Sequence, residues 1–154
     1  MIGYLTLAAK PTVRDRIFVD SLRRLGWIEG RNLKIEYRRG GNDPDRLAAL
    51  AGELVKAKPD LIVAQSTPAV LAAKNATQSI PLVTMSADPV GNKFVDNLAR
   101  PAGNITGISM MMPQLAGKRL ELLREIFPKL ARVAFLAHGG DPAHRIFVRE
   151  AEEA

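Results

Sequence analysis

Two spacings of apolar residues take turns along this chain. Short apolar runs at 2–7, 61–64, 81–87 and 105–110 have the length of buried strands, and 32–38 (N-L-K-I-E-Y-R) alternates every second residue, as a half-exposed strand does. Between them lie stretches with three-to-four-residue spacing. Val13, Ile17, Leu22 and Leu25 mark a helix over 12–25, with Thr12 and Asp15 placed as a capping box and Gly26 at its end. Asp43-Pro44 opens a second helix striped by Leu47, Leu50, Ala51, Leu54 and Val55, and Thr67-Pro68 opens a third that runs to about Gln78. A short helical stretch to Leu98, a turn at Pro101-Ala102-Gly103-Asn104 and a longer helix over 114–127 follow. A sixth strand is expected at 132–137 (R-V-A-F-L-A) and a last helix from Asp141-Pro142 to Ala154. Strands separated by helices in this way predict an α/β fold with a parallel, doubly wound sheet, in which the alternating 32–38 strand suits an edge.

Composition narrows the class without changing the fold. The 154 residues are 47% hydrophobic and 25% charged, an ordinary globular balance, and the absence of cysteine rules out disulfides and thiolate metal sites. No apolar run is long enough to cross a bilayer as a helix. The net charge of +6 is scattered, in pairs such as Arg23-Arg24 and Arg38-Arg39 without interleaved aromatics, so no nucleic-acid partner is expected. The chain starts directly with a strand pattern rather than a secretory leader, which leaves two expectations open: an intracellular protein, or one written without its leader.

In parallel α/β sheets ligands bind beyond the carboxyl ends of the strands. Ala8-Ala9-Lys10 follows the first strand, Gln65-Ser66-Thr67-Pro68 the third, and Ser86-Ala87-Asp88-Pro89 the fourth. Ser66-Thr67-Pro68 offers the free amides of a helix start and two hydroxyls, which would suit a carboxylate; equally, Thr67 could simply cap its helix. Asp88 could accept from an ammonium or hydroxyl, or cap a helix begun by Pro89, and Lys10 is at most a rim charge. No G-x-G-x-x-G follows the first strand, and neither a P-loop nor a G-x-S-x-G elbow occurs. The acidic cluster of a phospho-receiver domain is replaced by Ala8-Ala9 and Gln65-Ser66. His138 and His144 lack zinc spacing, so neither a metal nor another cofactor is expected.

The strings L-R-R-L-G-W-I-E-G-R-N-L-K-I-E-Y-R (22–38), D-R-L-A-A-L-A-G-E-L-V (45–55), P-D-L-I-V-A (59–64), S-T-P-A-V-L-A-A-K (66–74), I-P-L-V (80–83), D-P-V-G (88–91), L-A-R-P-A-G-N-I-T-G (98–107) and G-K-R-L-E-L-L (117–123) stand in an order and spacing that spans the whole chain. In these the sequence resembles the periplasmic substrate-binding proteins of ABC transporters that carry the type I two-lobed fold. The resemblance implies a non-enzymatic solute receptor, exported or lipid-anchored outside the cytoplasm. It would close two lobes on a small ligand such as an amino acid and deliver it to an ABC permease. It implies an N-terminal ligand-binding lobe over 1–110, then a crossover helix and the start of a second lobe over 111–154. Ser66 and Thr67 would hold the ligand carboxylate, Ala87 and Asp88 would line the same wall, and Ala8 and Ala9 would form the floor. Relatives are about twice as long, so with an incomplete second lobe this chain is expected to bind ligand too weakly to detect and to leave Leu120, Leu123, Phe127, Val133 and Phe135 exposed or covered by another copy of the chain. Two other readings remain open on sequence alone: the effector-sensing core of a lac-repressor-like transcription regulator, and an α/β enzyme whose catalytic residues lie elsewhere.

Overall fold

The computed structural model describes residues 1–101, 103–113, 115–136 and 141–153. Five parallel strands, β1 (Ile2–Thr6), β2 (Ile35–Arg39), β3 (Leu61–Gln65), β4 (Leu82–Ser86) and β5 (Ile105–Ser109), form one sheet in the order β2-β1-β3-β4-β5. The alternating strand β2 is an edge, as its pattern predicts. The helices are α1 (Val13–Arg24), α2 (Leu47–Lys56), α3 (Thr67–Ala76), α4 (Leu115–Ile126) and α5 (Pro142–Glu152). Their starts follow local chemistry. At α1 the capping box is formed: Thr12 Oγ1 accepts from the Asp15 amide, and the Asp15 carboxylate accepts from the Thr12 amide at 2.5 Å. Asp43 Oδ1 accepts from the Asp45 amide and opens a 3-10 turn, Pro44–Arg46, that leads into α2. Asp141 Oδ1 does the same for Ala143 at the head of α5.

Pleat alternation divides the packing. Leu5, Ile62, Ala64, Leu82 and Ile105 face α2 and α3 and meet Leu47, Ala51, Leu54, Ala69, Val70 and Ala73, with Phe94 and Val95 closing that layer. Full burial of each large side chain here contributes about 1.5–3 kcal/mol. On the other face Tyr4 packs at a tilt against Phe18 of α1 and Tyr37 of β2, both with ring centroids 5.4 Å away. Beneath α1, the Asp15 carboxylate accepts from Tyr4 Oη at 2.6 Å and pairs with Arg39 Nη1 at 3.2 Å. Burial pushes the Asp15 pKa upward, but the bonds from Tyr4 and Thr12 and the Arg39 charge outweigh it and hold the carboxyl below its ordinary value.

Two expected elements do not form. Residues 132–136 carry no regular secondary structure and lie in no ladder, and Ala137 falls outside the described residues. An apolar run becomes a strand only beside another strand, and this one has no neighbour among the described residues. Nor is there a helix between Asp88 and Leu98. Consecutive turns replace it, with the amides of Lys93 and Phe94 bonded to the carbonyls of Val90 and Pro89. The Ala102 part of the expected turn, the start of α4 at Gln114, and His138, Gly139, Gly140 and Ala154 also lie outside the described residues.

Candidate functional site

All five strands run the same way, so their carboxyl ends share one edge of the sheet. A cavity of about 370 Å³ opens there. Its floor is Thr6 at the end of β1, Leu7 and Ala8 just after it, and Gln65 at the end of β3. One wall is Ser66 and Thr67 at the start of α3 with Met85 and Ala87 of the β4 end; Met110 and Met112 follow from β5. The facing wall comes from α5: Asp141, Ala143, His144 and Phe147. Arg14 and Asn42 stand at the side.

The start of α3 is built unusually. Ser66 occupies the N-cap with φ +98° and ψ 150°, a backbone conformation that a residue with a Cβ rarely adopts. Its side chain makes no cap bond, and its Oγ is buried without a hydrogen-bond partner. The strain is held from both sides: the Ser66 amide donates to the Met85 carbonyl at 3.0 Å, and its own carbonyl accepts from Val70 at 3.0 Å. Thr67 is the first helical residue, not the cap. Its Oγ1 accepts from the Ala87 amide at 3.4 Å, tying α3 to the end of β4, and this leaves the hydroxyl proton to donate. Pro68 has no amide, so the first turn presents the N–H groups of Thr67 and Ala69 and the positive end of the helix dipole.

Of the residues singled out in the sequence, Ala8, Gln65, Ser66, Thr67 and Ala87 are brought together on the cavity wall. Ala9, Ser86 and Asp88 are not. Ala9 and Lys10 sit on an exposed loop. Ser86 follows Met85 in the pleat and so points away from the cavity; its Oγ is buried and also unpartnered. Asp88 is buried and turned into its own loop, where Oδ1 accepts from the Gly91 amide at 2.8 Å and its carbonyl accepts from Asn92 Nδ2 at 2.7 Å. It caps a turn rather than the helix that was expected there. Met110, Met112 and Asn42 were missed although they too follow strands. The α5 residues carried no signal, because their place depends on how the chain folds back.

Two larger hollows, each about 690 Å³, open at the amino ends of the strands instead, around Asn104-Ile105 and around Met1 and Ile35. The first has its key polar groups engaged in the fold: Lys74 Nζ donates to the carbonyls of Lys93 and Phe94, and Asn104 Nδ2 to those of Thr77 and Ile80. Position and unpartnered donors both favour the smaller cavity.

Comparison with known proteins shows the family of the chain. A family model described as ABC transporter substrate binding protein matches residues 13–154. A tyrosine-binding protein of Clostridioides difficile (strain R20291) is 34% identical over 150 residues, covering 96% of this chain and 43% of that protein. Among solved structures, a conserved domain protein from Vibrio cholerae O1 biovar El Tor superposes with a TM-score of 0.83 at 26% identity, over 99% of this chain and 53% of that one. An ABC domain from Streptococcus pneumoniae in complex with L-Trp gives 0.82 at 26% identity, over 99% and 53%. The ligand-free, open form of a substrate-binding protein with adhesive properties from Clostridium difficile gives 0.69 at 29% identity, over 99% and 52%. The chain spans about half the length of the relatives it matches.

Proposed function

The chain belongs to the ABC transporter substrate binding protein family, and from that premise we propose that it captures an amino acid with a bulky apolar side chain for an ABC importer. The observation that carries this reading is the unpartnered Ser66 Oγ, held by a strained backbone at the positive end of α3, in a cavity whose facing wall sets Phe147 and Ala143 beside Asp141 and His144. A ligand carboxylate would accept from Ser66 Oγ, the Thr67 hydroxyl and the first amides of α3. Asp141, on the facing wall, is the nearest chemical match for the ammonium. Met85, Met110, Met112 and Phe147 supply polarizable surface for the side chain, and thioethers adapt to flat rings. The cavity volume falls in the usual small-molecule range of about 300–1,000 Å³. The relatives named for tyrosine and for L-Trp support the same ligand class.

Residues 1–110 act in this reading as the ligand-binding lobe, and 111–154 bring the first part of the opposing wall. A permease is the partner that receives the ligand. The family is one of solute-binding proteins, which favours this reading over the repressor core and the enzyme.

The test is calorimetric titration of the chain with L-tyrosine and L-tryptophan, carried to millimolar ligand. Saturable binding of either is expected, against the undetectable binding that the sequence suggests, because α5 supplies part of the opposing wall. Ser66→Ala should weaken it about tenfold or more, the worth of one hydroxyl donor to a charged acceptor. Binding unaffected by Ser66→Ala, or no binding of either amino acid, overturns the proposal.

A further inference from the structure

The pole opposite the ligand cavity carries charge and apolar surface that the fold leaves unused. Helix α1 returns against the strand direction, so its end and the chain that follows, 25–34, stand at the amino edge of the sheet, as do Lys56 and Lys58 between α2 and β3. The hollow around Met1 and Ile35 is lined by 29–35, and the Asp60 amide donates to the Met1 carbonyl at 3.0 Å, which sets the two loops side by side. Arg23, Arg24, Arg31, Lys56 and Lys58 are exposed and take part in no ion pair among the described residues. The acids of this edge are fewer and engaged: Glu36 pairs with Lys34 at 2.7 Å, Asp60 with the amino terminus, and Glu29 accepts from Tyr37 Oη at 3.5 Å. Asp20 lies one turn back along α1. Beside the cations stand Leu25 and Trp27, 76% and 51% exposed. A loose loop is not the reason. The Gly26 amide donates to the Arg23 carbonyl and the Trp27 amide to that of Leu22, while the Asn32 side chain clamps Gly26 and Ile28. The backbone alone fixes this turn, and it turns both apolar side chains outward.

We propose that this pole docks on a bilayer surface rich in anionic lipid, with the five cations against headgroup phosphates and Leu25 and Trp27 entering the boundary between headgroups and acyl chains. Cations beside an exposed tryptophan and an aliphatic side chain match both layers of such a surface. A nucleic acid would take the cations and could stack on Trp27, but it offers Leu25 nothing, and no further aromatic is interleaved with these cations. The ligand cavity lies at the other edge of the sheet, so a docked chain keeps its mouth in water. The proposal does not depend on which ligand that cavity takes.

Trp27 is the sole tryptophan of the chain, so its emission reports on this surface alone. With vesicles of equal parts phosphatidylglycerol and phosphatidylcholine at low salt, the emission should shift to the blue and the chain should sediment with the lipid. Phosphatidylcholine vesicles, or added salt, should abolish both effects. Each cation at such a surface contributes about fivefold to partitioning, so Arg23→Glu with Arg24→Glu should lower it by about twenty-fivefold or more. Lys56→Glu with Lys58→Glu repeats the test from the other loop, so a disturbed end of α1 cannot decide the outcome. Leu25→Ser should lower partitioning by about fivefold. Phe127→Ser with Leu136→Ser should bind vesicles as the parent does, which separates this pole from the apolar end of α4. Equal binding to both kinds of vesicle, or sedimentation without a blue shift, overturns the proposal. So does binding that survives both charge reversals. A response of Trp27 to a DNA oligonucleotide but to neither vesicle makes the partner a nucleic acid and also overturns it.

Discussion

At the scale of single residues, the site and the fold place opposite demands on polar groups. Ser66 keeps a buried hydroxyl unpaired and a backbone at φ +98°, two costs to stability that a ligand would offset. Ser66→Gly should therefore raise the stability of the free chain by about 1 kcal/mol, since glycine takes that conformation freely, while ligand affinity falls. Urea unfolding and calorimetry on one preparation check both signs; a variant no more stable than the parent denies the strain. Asp15 is the contrary case, a buried charge with every partner in place. Its depressed pKa means that its contribution is present above about pH 4, where the unfolded chain's aspartate, ordinarily 3.8, is already ionised. That contribution is lost as pH falls toward the lower folded value. Tyr4, raised by burial and by donating to Asp15, works at the other end: its share is complete below its ordinary value of 10.0 and is lost as pH rises beyond it. Asp15→Asn should flatten the acid limb of a stability–pH curve and Tyr4→Phe the alkaline limb. Asp15→Ala should cost about 3 kcal/mol at neutral pH by leaving Arg39 and Tyr4 unpaired.

At the scale of elements, β5 depends on one glycine. Gly107 has φ +153° and sits opposite Thr84, and a Cβ on it would collide with the Thr84 carbonyl oxygen. Gly107→Ala should cost more than about 2 kcal/mol or release β5 from the edge, seen as lost exchange protection over 105–109 with 61–65 unaffected. Parental protection at 105–109 would show that the edge can shift to take a side chain. The five strands were legible because each apolar run pairs with a neighbour that the βα rhythm supplies. The boundary of β2 was not. Asn32 looks like strand, but its Oδ1 accepts from the Ile28 amide and its Nδ2 donates to Gly26, which winds 28–33 into a turn and starts the strand at Ile35. The run at 132–137 has the pattern of a strand, yet its described part, 132–136, pairs with no strand among the described residues, which no local pattern can report. The site divides in the same way. Ser66 and Thr67 follow from a helix start after a buried strand, whereas Met85, Met110, Met112 and Phe147 come together only through the sheet order and the return of α5.

At the scale of the whole molecule, the unfinished business is apolar surface. Of the five residues expected to be uncovered, Phe127, Val133 and Phe135 are exposed, and Leu120 and Leu123 are half-buried where α4 meets α5. Ile126 is 66% exposed and Leu136 entirely so, which extends the patch along α4 and the segment after it. The second face of the sheet adds Ile108 at 65% beside half-covered Val83, beyond the reach of α1. Water-exposed apolar surface of this extent favours association, each buried Å² contributing roughly 25 cal/mol before the entropy of pairing is subtracted. In relatives about twice as long, other parts of the chain can lie over such surface; for these 154 residues alone, another copy is the available cover. The chain is therefore expected to self-associate as its concentration rises, with a mass above 16.8 kDa by light scattering. Phe127→Glu with Leu136→Glu should return it to a monomer and leave the unfolding midpoint of the sheet unchanged, because neither side chain contributes to the core around Leu5 and Ile62. A stable parental monomer at high concentration would mean that this surface is tolerated in water. A dimer that survives both charges would place the contact elsewhere, with the open sheet face at Val83 and Ile108 as the next surface to charge.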